Sequence, residues 1–540
     1  MIPVPSRFLK QVFIWLLALA LLIPVVVMLW AGFSAPTSLF SHLWQTVLPD
    51  YLANTLLLGF LVVFLSLCFG LPSALFVSYF PLFGKRYLRW LLLLPLAMPA
   101  YLVAYLYTDL FDYAGPVQIA LRAWFGWQSP SDYWFFDIRT LTGAGVVISL
   151  VLYPYVYMLA RTAFEQQDQQ LLRAGRTLGL SSLQTLMKIA LPLARPAIAV
   201  AASLVLMETL ADFATVQYFA VNTLTTAIYD TWLGYGDLAA ANALASILLF
   251  FIFIVVVLEQ KSRQGMQHQS ENLNQQRQMV SVGFSAKFFA SAFCWLLVFA
   301  GFLLPLFLLL DMAIAYSTLE QVSALLETAS NSIVLSLYAA TITLVLALLF
   351  AFYQRFHQAT IATWPLKLSG LGYAIPGTVL AMAMMATFSP LDHWLNDMAK
   401  SFGYQPPGLI LSGTIFAIVF AFVVRFAAIA NGTINSGLKQ IPISLDKAAA
   451  SLGVSRAKTL WQVHRKLLKS SMFVAWLLVF VEAMKELPAV LLLRPFNYET
   501  LSTQVYQLIS DEMLEHGALG AILIVLFGLL PIIWLNREKV

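Results

Sequence analysis

Charge is scarce in this sequence. Asp, Glu, Lys and Arg make up 11% of its 540 residues, whereas 60% are hydrophobic and 14% aromatic. A soluble fold of this length has no interior large enough to hide so much apolar surface, so lipid is the solvent for most of it. The net charge of +5 suits basic loops at one membrane face better than a nucleic-acid surface. Cysteine is nearly absent: Cys68 and Cys294 lie in apolar runs and make no disulfide framework. The histidines are scattered, with no His-x-x-x-His or Cys-x-x-Cys pair, and no metal ligands are assigned. There is no Gly-x-x-x-x-Gly-Lys-Ser/Thr phosphate loop, no nucleophile elbow and no His-Glu-x-x-His. Such a chain is not an enzyme, and any uphill movement it performs takes its energy from elsewhere.

Apolar runs of spanning length centre near residues 22, 65, 98, 152, 204 and 248, then near 298, 340, 377, 418, 480 and 526. They predict an all-α membrane protein of about twelve transmembrane helices, six on each side of a break. The first run, about Val12 to Trp30 and preceded by Arg7 and Lys10, reads as an uncleaved helix. The break, Glu259 to Met279, is rich in Gln, Asn and Ser and has no apolar periodicity. The expected division is a first half over 1–258, a polar cytoplasmic linker over 259–280 and a second half over 281–540.

Basic residues set the orientation. Lys85, Arg86, Arg89, Arg161, Arg173, Arg176, Lys188 and Arg195 fall on one side, with Lys439, Lys447, Arg456, Lys458, Arg465, Lys466, Lys469, Arg537 and Lys539. Arg122, Arg139, Lys400 and Arg494 alone are assigned to the other side, and Lys485 to a span. Both termini, the linker and the loops over about 165–192 and 437–466 are therefore expected in the cytoplasm.

Those two loops are copies of one another. Leu178, Gly179 and Ser181 align with Leu452, Gly453 and Ser455 at a constant shift of 274. Each reads as helix, glycine stop, serine cap, helix. Asn54-Thr55 recurs as Asn331-Ser332, and Met98-Pro99-Ala100 as Ile375-Pro376-Gly377, both shifted by 277. Glu208 and Asp212 recur as Glu482 and Glu486, shifted by 274. Six spans per half make this a parallel repeat.

At these loops the chain resembles bacterial ABC-transporter permeases. Their coupling loop reads Glu-Ala-Ala, three residues, Gly, nine residues, Ile-x-Leu-Pro. The first copy matches from Ala174 through Gly179 to Ile189, Leu191 and Pro192, and the second at Ala448, Ala449, Gly453 and Val463. Arg173 and Lys447 stand where the family has Glu, and Asp446 offers a carboxylate one residue before Lys447. Arg465 and Lys466 replace Leu-Pro, so the second loop is expected to re-enter the membrane differently. Ser181 and Ser455 complete the coupling set. With Val481-Glu-Ala-Met-Lys-Glu-Leu-Pro-Ala489 and Leu493-Arg-Pro495, the fused chain resembles the permeases of ferric-iron importers; related fused permeases carry thiamine or phosphonate. The resemblance implies the ABC importer permease (MetI-like) fold in a bacterial inner membrane. Its implied partners are two cytoplasmic ATPase subunits, which bind ATP and Mg, and a periplasmic or lipoprotein substrate-binding protein. No nucleic acid and no cofactor in this chain are implied. An ion-coupled secondary transporter is the alternative from another class, and it has no use for two registered loops.

Ionisable groups inside spans are costly unless they face water or one another. Glu208 and Asp212 are expected one turn apart on one helix face, towards the outer leaflet, with Glu482, Glu486 and Lys485 repeating them. They would line the translocation route or its gate, or Lys485 would bridge acids of both halves as a lock. Pro99 and Pro376, within apolar helices, are expected to kink them beside the path. Asn54 and Asn331 read as helix caps or interhelical hydrogen bonds. Glu512 and His516, beside Asp511 and Glu515, read as a solvated acidic face. Tyr101, Tyr105 and Tyr107 read as interface anchors.

Overall fold

The computed structural model describes residues 6–264, 283–316, 318–357 and 360–537. Among them every regular element is helical, as lipid demands of a chain that must satisfy its own backbone. Seven helices are long and apolar enough to cross a membrane unbroken: Leu48–Tyr79, Leu141–Gln166, Leu238–Ser262, Phe284–Tyr316, Val322–Phe356, Ile415–Gln440 and Leu514–Trp534. Five further helix pairs pass the same test only together, each bent at a short break. Gln11–Ala20 and Ile23–Phe33 meet at 45°, Lys85–Ala97 and Ala100–Phe125 at 92°, and Leu186–Leu193 and Arg195–Ala211 at 62°. Ile361–Ala374 and Gly377–Ser401 meet at 115°, and Arg456–Leu467 and Lys469–Lys485 at 76°. Taking each pair as one span gives twelve, where the apolar runs place them.

Pro99 and Pro376 do not kink continuous helices, contrary to the expectation from sequence. Each follows a one-turn 3-10 helix, Leu94–Ala97 or Leu371–Ala374, and an extended residue, Met98 (ψ 119°) or Ile375 (ψ 122°). Proline crowds the residue before it out of the helical region, so the chain turns sharply and starts a new helix at Ala100 or Gly377. The amides at the break remain satisfied, Met98 N–H donating to Pro95 O at 3.0 Å and Ile375 N–H to Gly372 O at 3.1 Å.

The chain forms two compact units, each drawn from several stretches. One comprises Met1–Leu39, Ile228–Ser246 and Ser323–Gln504; the other comprises Phe40–Ala227, Ile247–Val322 and Val505–Val540. In the second of these, Leu48–Tyr79 packs along Leu141–Gln166, and Arg195–Ala211 lies against both. Gly70 permits the approach: a Cβ there would stand 2.6 Å from Val156 Cβ and 2.8 Å from Tyr153 O, the close crossing that small residues allow between membrane helices. Tyr153, Tyr157 and Phe164 fill that core. In the other unit, Ile415–Gln440 packs on Lys469–Lys485, and Ile23–Phe33 on Gly377–Ser401. The helix Leu238–Gln264 carries the chain through the first residues of the expected linker, and 265–282 lie outside the described residues.

Candidate functional site

Each of the two repeated loops folds as a helical elbow, and the first begins at Asp168, whose carboxylate accepts the Gln170 N–H at 2.8 Å and caps Gln169–Thr177. The helix ends at Gly179, where φ is +86°. Gly179 N–H donates to Arg176 O at 3.0 Å and Leu180 N–H to Gly175 O at 3.1 Å, the two bonds of a Schellman turn. Ser181 Oγ then accepts the Gln184 N–H at 3.2 Å, and Gln184 Oε1 accepts the Ser181 N–H at 3.0 Å, a reciprocal cap.

The second elbow repeats this atom for atom along the backbone. Ile443–Ser451 ends at Gly453 (φ +70°), whose N–H donates to Ala450 O at 3.0 Å, while Val454 N–H donates to Ala449 O at 3.0 Å. Ser455 Oγ accepts the Lys458 N–H at 3.3 Å. In both elbows the second helix passes through one π turn, Leu186–Ala190 or Leu460–His464. The chain then bends at Ala194 (φ −84°, ψ −5°) or Leu468 (φ −89°, ψ 0°) and enters the next span. Re-entry is thus alike in kind, although Arg465 and Lys466 stand in place of Leu-Pro; the expected difference is not seen, because the bend is set at Leu468 and needs no proline.

Side chains divide sharply at the elbows. Arg173, Ala174, Ser181, Lys447, Ala448 and Ser455 are exposed, and Ile189, Leu191, Pro192, Ala449 and Val463 are half-buried behind them. The residue before each glycine is a leucine held out from the protein: Leu178 is 84% exposed and Leu452 81%. Asp446 is turned the other way. Its Oδ2 lies 2.7 Å from Arg355 Nε and its Oδ1 2.6 Å from His464 Nε2, so this carboxylate is engaged inside the elbow.

Each elbow leads directly into the span that carries the acids. Glu208 is half-buried in Arg195–Ala211, and Glu482 in Lys469–Lys485. Asp212 and Glu486 do not lie one turn further along the same helices, as the spacing suggests. Each is the first residue beyond the helix, with ψ of 128° and 125°. Competing hydrogen bonds end the helices there: Thr225 Oγ1 donates to Asp212 O at 2.8 Å, and Ser502 Oγ to Glu486 O at 2.9 Å. The carboxylates face the next short helix. Asp212 accepts Thr215 N–H at 3.0 Å and Thr215 O–H at 2.8 Å, and Glu486 Oε1 lies 3.4 Å from Ala489 N. Lys485 pairs with Glu482 on its own helix at 2.9 Å.

Glu486 also meets Arg425, a residue that the charge count assigns to the elbow side and that lies within Ile415–Gln440. A cation deep in an apolar run is the signal for it. Asn54 and Asn331 lie inside their helices and cap neither; each donates instead to a loop carbonyl, Asn222 O or Glu499 O, at 3.0 Å. The three tyrosines are buried rather than anchored at a surface. Tyr101 packs edge-on to Tyr506, Tyr105 against Tyr218, and Tyr107 O–H donates to Ala300 O. Glu512 pairs with Arg139 at 2.8 Å. Among the described residues no three His, Cys, Asp or Glu side chains gather as a metal site.

Apolar helices of spanning length, with a matching exposed elbow in each repeat, are the architecture of a multi-pass membrane permease. The sequence comparisons agree: the family of binding-protein-dependent transport system inner membrane components matches residues 66–264 and 366–537, and the chain belongs to that family. It is a multi-pass inner-membrane permease and not an enzyme, and binding-protein-dependent transport implies an ATPase and a substrate-binding protein as partners. The chain is 24% identical to "Fe(3+)-transport system permease protein FbpB 2" of Haemophilus influenzae, over 92% of this chain and 91% of that protein. It is 25% identical to "Ferric transport system permease protein FbpB" of Actinobacillus pleuropneumoniae, over 91% of this chain and 71% of that protein. A shorter stretch, 26% of this chain and 27% of the relative, is 30% identical to "Maltose/maltodextrin transport system permease protein MalF" of Escherichia coli.

Proposed function

We propose that this permease imports ferric iron delivered by an extracytoplasmic binding protein, driven by two ATPase subunits that bind ATP and Mg and grip one elbow each. The observation that carries the gripping is the repeated Schellman elbow, which holds Leu178 and Leu452 out at equivalent positions. The cargo rests on end-to-end similarity to ferric permeases. Both elbows, the linker and both termini face the cytoplasm in this reading, as the basic loops favour.

The drive is mechanical. Closure of the ATPase pair displaces each elbow, and the elbow pulls the span joined to it through the bend at Ala194 or Leu468. Those spans bring Glu208 and Glu482 with them, and carry Asp212, Lys485 and Glu486 at their ends. We assign these five, with the breaks at Pro99 and Pro376, to the route or its gate.

Uptake of radiolabelled ferric iron by cells with and without the gene, with thiamine in parallel, tests the cargo. Loss of iron uptake alone is expected; a thiamine defect with normal iron uptake overturns it. Glu208→Gln and Glu482→Gln test the route: folded protein with transport lost is expected, and unimpaired uptake removes these acids from the path.

A further inference from the structure

The two elbows share a backbone and differ in what fastens them. Behind the first, Tyr79 at the end of Leu48–Tyr79 donates to Gln167 Oε1 at 3.0 Å, and Gln167 Nε2 donates to Ala190 O at 2.7 Å. Tyr79 O–H also lies 3.5 Å from Phe164 O. These bonds, among the described residues, join neutral groups and end on a backbone carbonyl in the π turn. Tyr79, Gln167 and Ala190 are all buried.

Behind the second elbow the same junction is closed by charge. Arg355, at the end of Leu319–Phe356, donates from Nη1 to Leu438 O at 2.5 Å and from Nη2 to Ile441 O at 2.9 Å. Leu438, Ile441 and His464 are the repeat equivalents of Phe164, Gln167 and Ala190 at the shift of 274. Arg355 Nε reaches Asp446 Oδ2 at 2.7 Å on the elbow's first helix, and Asp446 Oδ1 meets His464 Nε2 at 2.6 Å in its π turn. His464 is fully buried, edge-on to Phe352 and Phe356. Its Nδ1 is buried with no hydrogen-bond partner among the described residues, so the bond from Nε2 to Asp446 is what fixes the ring.

We infer that Arg355, Asp446 and His464 are positioning residues that clamp the two helices of the second elbow into one rigid lever, so that the second elbow transmits motion stiffly while the first is held by a weaker, neutral latch. Charge-assisted hydrogen bonds are roughly twice as strong as neutral ones. A fork from Arg355 onto two carbonyls and a carboxylate ties span, first helix and π turn together. In the first elbow the side chain of Gln167 spans the same gap, and nothing in the first elbow helix takes the place of Asp446, since Leu172 stands there. This inference rests on the proposed role of the elbows in receiving the ATPase.

The test uses the full complex with ATPase and binding protein in proteoliposomes, reading solute moved per ATP hydrolysed. His464→Leu keeps the volume and loses the donor; His464→Gln keeps a donor at the Nε2 position. His464→Leu is expected to lower transport per ATP about tenfold, the scale of one hydrogen bond to a charged group, and His464→Gln to restore it. Tyr79→Phe, which removes the corresponding neutral donor, is expected to change the ratio by about fivefold or less, on the scale of a neutral hydrogen bond. Equal ratios for wild type and His464→Leu, or an equal loss for His464→Leu and His464→Gln, overturn the clamp. A Tyr79→Phe loss as large as that of His464→Leu overturns the asymmetry. Failure of the wild-type complex to couple ATP to transport instead removes the proposed function, a separate outcome.

Discussion

Arg425 Nη1 and Glu486 Oε1 meet at 3.2 Å, both largely buried, against a glycine that has no room for a side chain. A Cβ on Gly377 would fall 2.4 Å from Glu486 Oε1 and 2.8 Å from Arg425 Nη1. The pair therefore sits on the break after Pro376, where three helices come together. Removing one partner of a buried ion pair strands the other charge, at a cost of about 3–5 kcal/mol. Arg425→Ala is expected to lower the unfolding temperature in detergent sharply, and Arg425→Met with Glu486→Leu to recover much of the loss. Arg425→Ala as stable as wild type would show that the pair contributes nothing.

Gly179 and Gly453 are constrained by conformation alone. Both have positive φ, and a Cβ at either position would meet no atom within 4 Å. Alanine at either position pays only the left-handed strain, about 1–2 kcal/mol, and asparagine tolerates that region better. Hydrogen exchange of the elbow amides is expected to rise in Gly179→Ala and Gly453→Ala and to stay near wild type in the Asn variants. Identical exchange in Ala and Asn variants would refute the conformational account.

Leu178 and Leu452 separate stability from partnership. Each is more than four-fifths exposed, so replacement by Ser should change stability by no more than about 0.5 kcal/mol. If these leucines seat in pockets of the ATPase, each substitution weakens association about tenfold or more, as loss of an anchor does. Titration of the purified permease with ATPase reads this directly. Unchanged affinity for both variants would move the grip elsewhere on the elbows.

Local chemistry and apolar length are legible in the residues themselves. The spans show because lipid selects long runs that are mostly apolar, and the elbows show because a left-handed glycine and a serine cap act within a few residues. Asp212 and Glu486 escape such reading because helical spacing treats a chain as continuous; the hydroxyls that stop those helices, Thr225 and Ser502, lie 13 and 16 residues away. Arg425 and Glu486 are 61 residues apart, and Arg355 and Asp446 are 91 apart. No periodicity announces such pairings, because tertiary packing brings them together. The repeat itself is a partial guide: Asn54 and Asn331 each bond a carbonyl 168 residues on, so a contact found in one half points to its twin.

Asp132, in the loop between Phe125 and Leu141, gives a prediction in pH. Its carboxylate accepts the N–H groups of Gln128 and Ser129 at 2.8 and 2.9 Å, and these bonds hold its pKa below the usual value. A carboxylate whose folded pKa is depressed adds stability that is complete above the ordinary carboxylate range. That contribution is lost as pH falls through the depressed value. Protection of the Gln128 and Ser129 amides, corrected for intrinsic exchange, is therefore expected to be full near neutrality and to fall below about pH 4. In Asp132→Asn the side chain no longer titrates, so protection should be lower at neutral pH and nearly flat on acidification. The stacked Trp127 and Tyr133 rings, 4.5 Å apart, limit how far the loop can loosen, so the change should stay local to 128–132. Protection in the wild type that ignores pH over this range would mean that the rings, and not the carboxylate, hold the loop.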